Sequence, residues 1–154
     1  MLKNPKIWFI VADGSRARII AHTAGEKIFE TVSELESPDA HLATRDLGAN
    51  KPTRAFGSAD GTRHAIEPRS DFHDKAKLEF ADMVADKIGD GAKNGMFQLF
   101  ALVAPPKIIH EIKKRFSTDV SKRLAAELPK DLTKLPQAAL QERLLELPVR
   151  SHVL

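Results

Sequence analysis

The pattern of apolar and polar positions predicts three strands at the start of the chain. Lys6 to Ala12 forms a continuous apolar run, which is typical of a strand buried on both faces. The turn Asp13-Gly14-Ser15 follows, and Arg16 to Thr23 predicts a second strand. Lys27 to Leu35 alternates and predicts a third strand nearer an edge. Because turns this short join antiparallel neighbours, these strands form a meander.

The next pattern is helical. The predicted helix spans 71–88, with Ser70 or Asp71 as its cap and Gly89-Asp90-Gly91 as its end. Its apolar side chains recur at helical spacing: Phe72, Ala76, Phe80, Met83, Val84 and Ile88. We expect this side of the helix, including Phe80 and Met83, to lie in the core.

The rest of the chain alternates between strand and helix. Residues 97–104 predict a buried strand, which Pro105-Pro106 stops while starting a helix. Residues 121–128 favour a helix by propensity and a last strand by alternation, and both readings stay open. Residues 136–147 predict a final amphipathic helix.

A meander followed by helical crossovers predicts an α/β fold. We expect one domain over residues 1–154, with helices on both faces of a mixed five-stranded sheet. Right-handed crossovers give the ribonuclease-H-like order 3-2-1-4-5, with strand 2 antiparallel. Asp13 and Ala104-Pro105-Pro106 then become neighbours at a topological switch point, where ligands commonly bind.

Composition narrows the class of protein. Apolar residues make up 42% of the 154 residues and charged residues 29%, as in a soluble domain. The chain has no cysteine, which excludes disulfides, thiolate metal sites and cysteine nucleophiles. The apolar run at 7–12 is short and meets Asp13 and Arg16, so we read it as a strand and not an export signal. No segment approaches the ~20 apolar residues of a membrane span, and we expect a cytoplasmic protein.

The formal charge of +3 is too small to name a partner, but its distribution is uneven. Residues 107–134 hold eight Lys or Arg against four acids. Such a patch can attract phosphate, although a solvated helix face gives the same count and is the favoured reading. Lys113, Lys114 and Arg115 are expected to complement the dipole at the C-terminus of their helix.

A long middle segment, about 38–69, lacks any sustained apolar period. Segments of this kind in a small domain are disordered or functional, and we expect this one to take part in recognition. Arg45, Lys51, Arg54 and Arg63 are available for phosphates. Against a nucleic-acid role, acids match the basic residues here, and aromatic residues are too few for base stacking.

Catalytic and metal chemistry find little support. Two-metal nuclease chemistry at Asp13 needs several converging carboxylates, and strand four contributes none. Asp13 is therefore interpreted as a turn residue that binds the Ser15-Arg16 backbone or pairs with Arg18. Arg18 occupies a strand position where an apolar residue is expected, so it is a binding candidate or a structural ion pair. The spacing of three histidines matches no metal-ligand pattern, and neither a metal nor a cofactor is expected: His41, His64 and His73.

Four motifs, in order, resemble those of the bacterial host-attachment protein family. The motifs are Trp8-Phe9-Ile10-Val11-Ala12-Asp13 with Ala17-Arg18, then Arg63-His64-Ala65, Ala104-Pro105-Pro106 and Lys130-Asp131-Leu132-Thr133. The resemblance covers nearly the whole chain. It implies a small cytoplasmic domain similar to the central domain of archaeal and eukaryotic peptide-chain release factors. The Gly-Gly-Gln tripeptide of those factors has no counterpart, because the glutamines here are Gln98, Gln137 and Gln141.

We therefore expect a non-enzymatic binding domain that contacts RNA, the ribosome or a protein, and no membrane. The candidate binding residues are Asp13, Arg18, Arg54, Arg63, His64, Pro105 and Pro106. One alternative is a hydrolase in which Asp13, Arg63 and His64 share a pocket and His64 acts as acid or base. Another is a protein required only indirectly for attachment to host cells or surfaces.

Overall fold

The computed structural model describes residues 4–38 and 75–149. These residues contain one five-stranded mixed sheet and the helices that pack on it. The strands are β1 (Lys6–Ala12), β2 (Arg16–Thr23), β3 (Phe29–Glu36), β4 (Leu99–Val103) and β5 (Leu124–Leu128). They stand in the order β3-β2-β1-β4-β5. β2 runs antiparallel to both neighbours, whereas β1, β4 and β5 are parallel. The predicted strand order and the antiparallel second strand are confirmed.

Helices cover both faces of this sheet. The described helical residues are 75–93 (α1), Pro106–Lys113 (α2), Thr118–Lys122 (α3) and Gln137–Leu145 (α4). The ambiguous segment 121–128 holds the end of α3 and then β5, so each reading is right for part of it. The hydroxyl of Ser117 accepts a hydrogen bond from Val120 N at 3.2 Å and so caps α3. None of the helices in the two described ranges has the length and apolarity that a bilayer crossing requires.

Strand β3 departs from its predicted alternation. It begins two residues later than expected and ends at Glu36. Ile19 pairs with Ser33 and Ile20 with Thr31, so the β3 residue between these two partners bulges out of the ladder. Because a bulge shifts the side chains that follow it to the other face, the alternating pattern did not give the register correctly.

The predicted end of the first helix is wrong. Gly89-Asp90-Gly91 lies inside α1, and the turn comes at Gly95, whose φ of 68° is in the left-handed region. Gly95 N donates to Ala92 O at 3.2 Å, and Met96 N donates to Gly91 O at 2.8 Å. A Cβ on Gly91 would lie 2.6 Å from Cζ3 of Trp8. Gly91 is therefore a packing residue, and the predicted cap at Ser70 or Asp71 lies outside the described residues.

The core is split by the sheet into two clusters. On one face, Trp8 and Phe100 of the strands pack against Phe80 of α1. On the other face, Phe9 lies in a cluster with Leu140 of α4. Trp8, Phe9 and Phe80 are thus core residues, as expected. Met83 is not, because it lies on the flank of the α1 stripe and is 37% exposed.

Candidate functional site

Three segments meet at the edge of the sheet where β1, β4 and β5 end. Val11 of β1 pairs with Val103 of β4, so the chain leaves these two parallel strands side by side. Ala104 N donates to Leu128 O of β5 at 3.1 Å. Thr133, in the loop after β5, donates from Oγ1 to Oδ2 of Asp13 at 3.2 Å. The topology therefore places Asp13 beside Ala104 and the Lys130–Thr133 loop.

The carboxylate of Asp13 is used to build the turn between β1 and β2. Its Oδ1 accepts hydrogen bonds from Ser15 N and Arg16 N, both at 2.7 Å. This is an Asx turn, in which a side-chain oxygen replaces a backbone acceptor. The predicted backbone role of Asp13 is observed, whereas pairing with Arg18 is not. Arg18 instead donates from Nη1 to Oε1 of Gln137 at 3.3 Å.

A second carboxylate completes the network around Thr133. Asp131 Oδ1 accepts from Thr133 N at 2.9 Å and lies 2.5 Å from Thr133 Oγ1. One hydroxyl proton can go to only one acceptor at a time, so Asp13 and Asp131 compete for it. Within the described ranges, no group of three His, Cys, Asp or Glu residues is placed to hold a metal ion. The pair fixes the loop that bears Thr133.

A groove of about 390 Å³ opens beside this network, and we call it the edge groove. Arg16, Arg18, Glu34, Glu36 and Thr133 line it, with Val11, Ala17 and Leu35 as apolar lining. Arg16 and Glu36 form an exposed ion pair at 3.5 Å. Arg18 and Glu34 face each other across β2 and β3 but form no ion pair with any described residue. The two charges of each sign leave the groove without net charge.

A second groove, of about 440 Å³, lies between α2 and the edge strand β5. Its lining residues are Pro106, Ile109, His110, Lys113, Lys114, Glu127 and Pro129. Lys113 Nζ donates to Glu127 Oε2 at 2.6 Å. The exposed side of α2 carries Lys107, His110 and Lys113, while its other side lies in the core. This surface is basic, unlike the edge groove.

Carboxylates pair with the basic cluster at the end of α2. Arg115 binds Asp82 on α1 and Glu111 on its own helix, and Lys114 approaches Glu111 at 3.5 Å. Loss of solvation opposes the charged form of Arg115, but hydrogen bonds to Asp82 and Glu111 outweigh it and raise its pKa. Loss of solvation likewise tends to raise the pKa of Glu111, yet Arg115 and Lys114 hold it below the ordinary value. The expected complement to the helix dipole stays a prediction, and ion pairs are observed beside it.

The structure places some of the candidate residues in these two surfaces. Asp13 and Arg18 lie at the edge groove, Pro105 caps α2, and Pro106 lines the second groove. The candidates and related residues that lie outside the described residues are His41, Arg45, Lys51, Arg54, Arg63, His64 and His73. A shared pocket of Asp13, Arg63 and His64 therefore stays a prediction.

The sequence did not predict that Thr133 would contact Asp13 or that Gln137 would contact Arg18. Both lie more than a hundred positions from Asp13 and Arg18, and neither belongs to a periodic pattern. In the sequence, Thr133 stands out only as part of the motif Lys130-Asp131-Leu132-Thr133. The one available signal was topological, since the loop after β5 must leave the sheet at the same edge as β1.

Comparisons with known proteins give a family and a likeness to solved structures. A family model described as "Protein required for attachment to host cells" matches residues 8–144. Among solved structures, the archaeal translation termination factor aRF1 is similar at 12% identity and a TM-score of 0.42. The likeness covers 91% of this chain and 38% of that chain, so the chain spans well under half of its length. A comparison with curated proteins finds no match.

Proposed function

This chain belongs to the family of proteins required for attachment to host cells, and we propose that it is a non-enzymatic binding domain for RNA. The proposed contact is the basic α2 surface, which we define as Lys107, His110, Lys113, Lys114 and Lys130. The observation that carries the proposal is the pair of exposed lysines, Lys107 and Lys130, that form no ion pair with described residues. Exposed cations without protein partners are suited to phosphate groups.

The packing of α2 supports this surface. Ile108, Ile109 and Ile112 are buried, so one side of the helix is fixed against the sheet. Lys107 and Lys114 are two turns apart on the opposite side, about 10 Å along the axis. A helix anchored in this way presents its cations on a rigid support, which lowers the entropic cost of binding.

Local charge also favours RNA at this surface over the edge groove. The four lysines outnumber Glu111 and Glu127, the acids that contact them. Glu127 engages Lys113, and Glu111 is shared between Lys114 and Arg115. A phosphate backbone can therefore reach Lys107 and Lys130 without breaking an existing pair. At the edge groove, Glu34 and Glu36 offset the arginines.

Binding is proposed in preference to catalysis because of how Asp13 is used. Both oxygens of this carboxylate already accept hydrogen bonds that shape the β1–β2 turn and hold Thr133. A carboxylate acting as general base needs access to a substrate proton. The hydrolase alternative depends on Arg63 and His64, and it stays a prediction.

The test is RNA binding measured by fluorescence anisotropy with a labelled RNA hairpin over a salt series. Each phosphate contact contributes roughly −0.7 to −0.9 to the slope of log K against log salt. Lys107, Lys114 and Lys130 together predict a slope of roughly −2 to −3. Replacing Lys107→Gln and Lys130→Gln should make the slope shallower by about 2 units.

The matched control removes two exposed lysines from α1, Lys87→Gln with Lys93→Gln. This control changes the net charge by the same amount as Lys107→Gln with Lys130→Gln. If the α2 surface is the contact, RNA binding by the control should stay within about twofold of the original. Salt-independent binding, no binding at low salt, or equal losses in both double variants would overturn the proposal.

The middle segment supplies a separate arm of this experiment. Arg54→Ala with Arg63→Ala removes two cations that the sequence nominates for phosphate contact. If that segment shares the RNA contact, the salt slope should fall by a further unit or two. An unchanged slope would confine RNA binding to the α2 surface.

Family membership supports a second candidate function, an indirect role in attachment from the cytoplasm. Deleting the gene should then reduce adhesion to host cells or surfaces, and the original gene should restore it. Complementation with the Lys107→Gln and Lys130→Gln variant asks whether adhesion depends on the proposed RNA contact. Unchanged adhesion in the deletion strain would remove this candidate.

A further inference from the structure

We propose that the edge groove binds a small zwitterion, with its anionic group on Arg18 and its cationic group on Glu34. The ligand class is a compact molecule with one carboxylate and one ammonium group, such as a free amino acid. This site is distinct from the basic α2 surface, so the inference does not depend on RNA binding.

Arg18 binds the anionic group of the ligand. Its side chain is half-buried, and its only described hydrogen bond, at 3.3 Å, goes to the neutral amide oxygen of Gln137. No carboxylate of the described residues lies within ion-pair distance of it. A guanidinium has five N–H donors in a planar fork, and that fork matches a carboxylate. Most of its donors are therefore available to a ligand.

Glu34 binds the cationic group of the ligand. It lies directly opposite Arg18 in the β2–β3 register and on the same face of the sheet. The next pair along this ladder, Arg16 and Glu36, closes into an ion pair at 3.5 Å, whereas Arg18 and Glu34 stay apart. Opposed residues have Cβ atoms about 5 Å apart, so the two charged groups of a ligand need only a short spacer.

Size and charge select the ligand class. A volume of about 390 Å³ is at the small end of ligand sites. Because the charges of the groove cancel, a polyanion gains no net attraction there, while a zwitterion can pair with both open charges. Val11 supplies apolar lining for a methylene spacer. Thr133 is already held by Asp13 and Asp131, and we assign it no ligand contact.

The test is a titration followed by ¹⁵N-resolved NMR. The zwitterionic probes are glycine, β-alanine and 4-aminobutyrate, which differ only in spacer length. Butyrate and butylamine each lack one charge, and inorganic phosphate represents the polyanion. We expect at least one zwitterion to give saturable shifts at the amides of Arg18 and Glu34, with butyrate and butylamine at least about tenfold weaker, or ~1.4 kcal/mol.

Two variants separate the two halves of the site. Arg18→Gln should weaken the zwitterions about tenfold, to the level of butylamine, and abolish the saturable binding of butyrate. Glu34→Gln should weaken the zwitterion about tenfold and make it equal to butyrate. Glu34 is exposed, so Glu34→Gln is expected to fold. If Arg18→Gln fails to fold, Glu34→Gln alone tests the proposed site. Glu30→Gln is the matched control, because Glu30 is on the same strand but lines a different cavity.

Several results would overturn the proposal. One is the absence of any saturable shift in the groove with the three zwitterions. Another is butyrate or phosphate binding as tightly as the best zwitterion. A third is a loss of affinity in Glu30→Gln equal to the loss in Glu34→Gln.

Discussion

The two faces of the sheet are built differently. The face under α1 and α2 is rich in aromatic residues, with Trp8, Phe80, Phe97 and Phe100 in one buried cluster. The face under α4 is mostly aliphatic, and it includes small residues such as Ala101. One face is thus filled largely by aromatic rings, and the other mainly by aliphatic side chains.

The difference explains where the edge groove lies. α4 has nine residues and is about 14 Å long, so it covers only part of its face. Beyond its N-terminus, β2 and β3 present Arg18, Glu34 and Glu36 towards solvent on that side. We therefore expect the aromatic face to contribute more to stability than the α4 face, on whose side the charged residues of the edge groove lie. The predictions below test this division.

Phe100→Ala should be the most damaging single change. Phe100 is fully buried and contacts two other rings, Phe97 at 5.6 Å and Phe116 at 5.4 Å between centroids. Its truncation should lower the free energy of unfolding by about 3–5 kcal/mol, from the lost transfer energy and the cavity. Chemical denaturation followed by circular dichroism measures this loss.

Leu144→Ala is the counterpart on the α4 face. Leu144 is 1% exposed and lies in the cluster under α4, which is mostly aliphatic but includes the rings of Phe9 and Phe29, 6.1 Å apart between centroids. We expect a loss of about 2–3 kcal/mol, at the lower end for buried leucines. A Leu144→Ala loss equal to or greater than that of Phe100→Ala would contradict the division of stability between the faces.

Gly91→Ala should destabilise through overpacking on the aromatic face. An added Cβ would lie 2.6 Å from Trp8 Cζ3 and 3.0 Å from Phe97 Cε2, so buried rings must move. The expected cost is about 1–2 kcal/mol, because strain exceeds the ~1 kcal/mol gain in helix propensity. Thermal and urea denaturation give the measurement.

Gly89→Ala is a matched control two residues away in the same helix. A Cβ at Gly89 meets nothing within 4 Å, so only the propensity gain remains. This variant should be more stable than the original by about 0.5–1 kcal/mol. If both variants were stabilised, Gly91 would not be a packing residue.

More of the fold than of the candidate sites could be predicted from the sequence. Continuous apolar runs identified β1 and β4, because strands buried on both faces must be apolar throughout. The short turn at Asp13 then required β2 to be antiparallel, and the crossover rule supplied the strand order. These inferences use the local pattern and the chain connectivity, and both can be read directly from the amino-acid sequence.

The errors arose where tertiary contacts overrule local pattern. Gly91 looks like a helix stop, but Trp8, far away in the chain, explains the glycine. Met83 fits a helical period, yet it falls beyond the width of the buried stripe. The contact of Arg18 with Gln137 and the bulge in β3 are not encoded in nearby residues. Site geometry therefore became visible only in the folded chain.

Among the alanine variants that destabilise the protein, Asp13→Ala should have the smallest effect, and it tests the network beside the edge groove. The variant loses acceptors for Ser15 N and Arg16 N and frees Thr133. Because these groups are partly exposed and water can replace Asp13, the expected cost is about 1 kcal/mol. Asp13→Asn keeps a side-chain oxygen for the turn and should cost roughly half as much.

The same pair of variants distinguishes a turn residue from a catalytic one. If the carboxylate serves the turn, the Asn variant should retain most of the stability, and hydrogen exchange should speed up mainly at Ser15 and Arg16 in the Ala variant. Losses as large as that of Phe100→Ala would mean that the edge network, and not the aromatic face, holds the sheet together. An increase in stability on replacing Asp13 would instead indicate strain held for function, because such strain is concentrated at active sites.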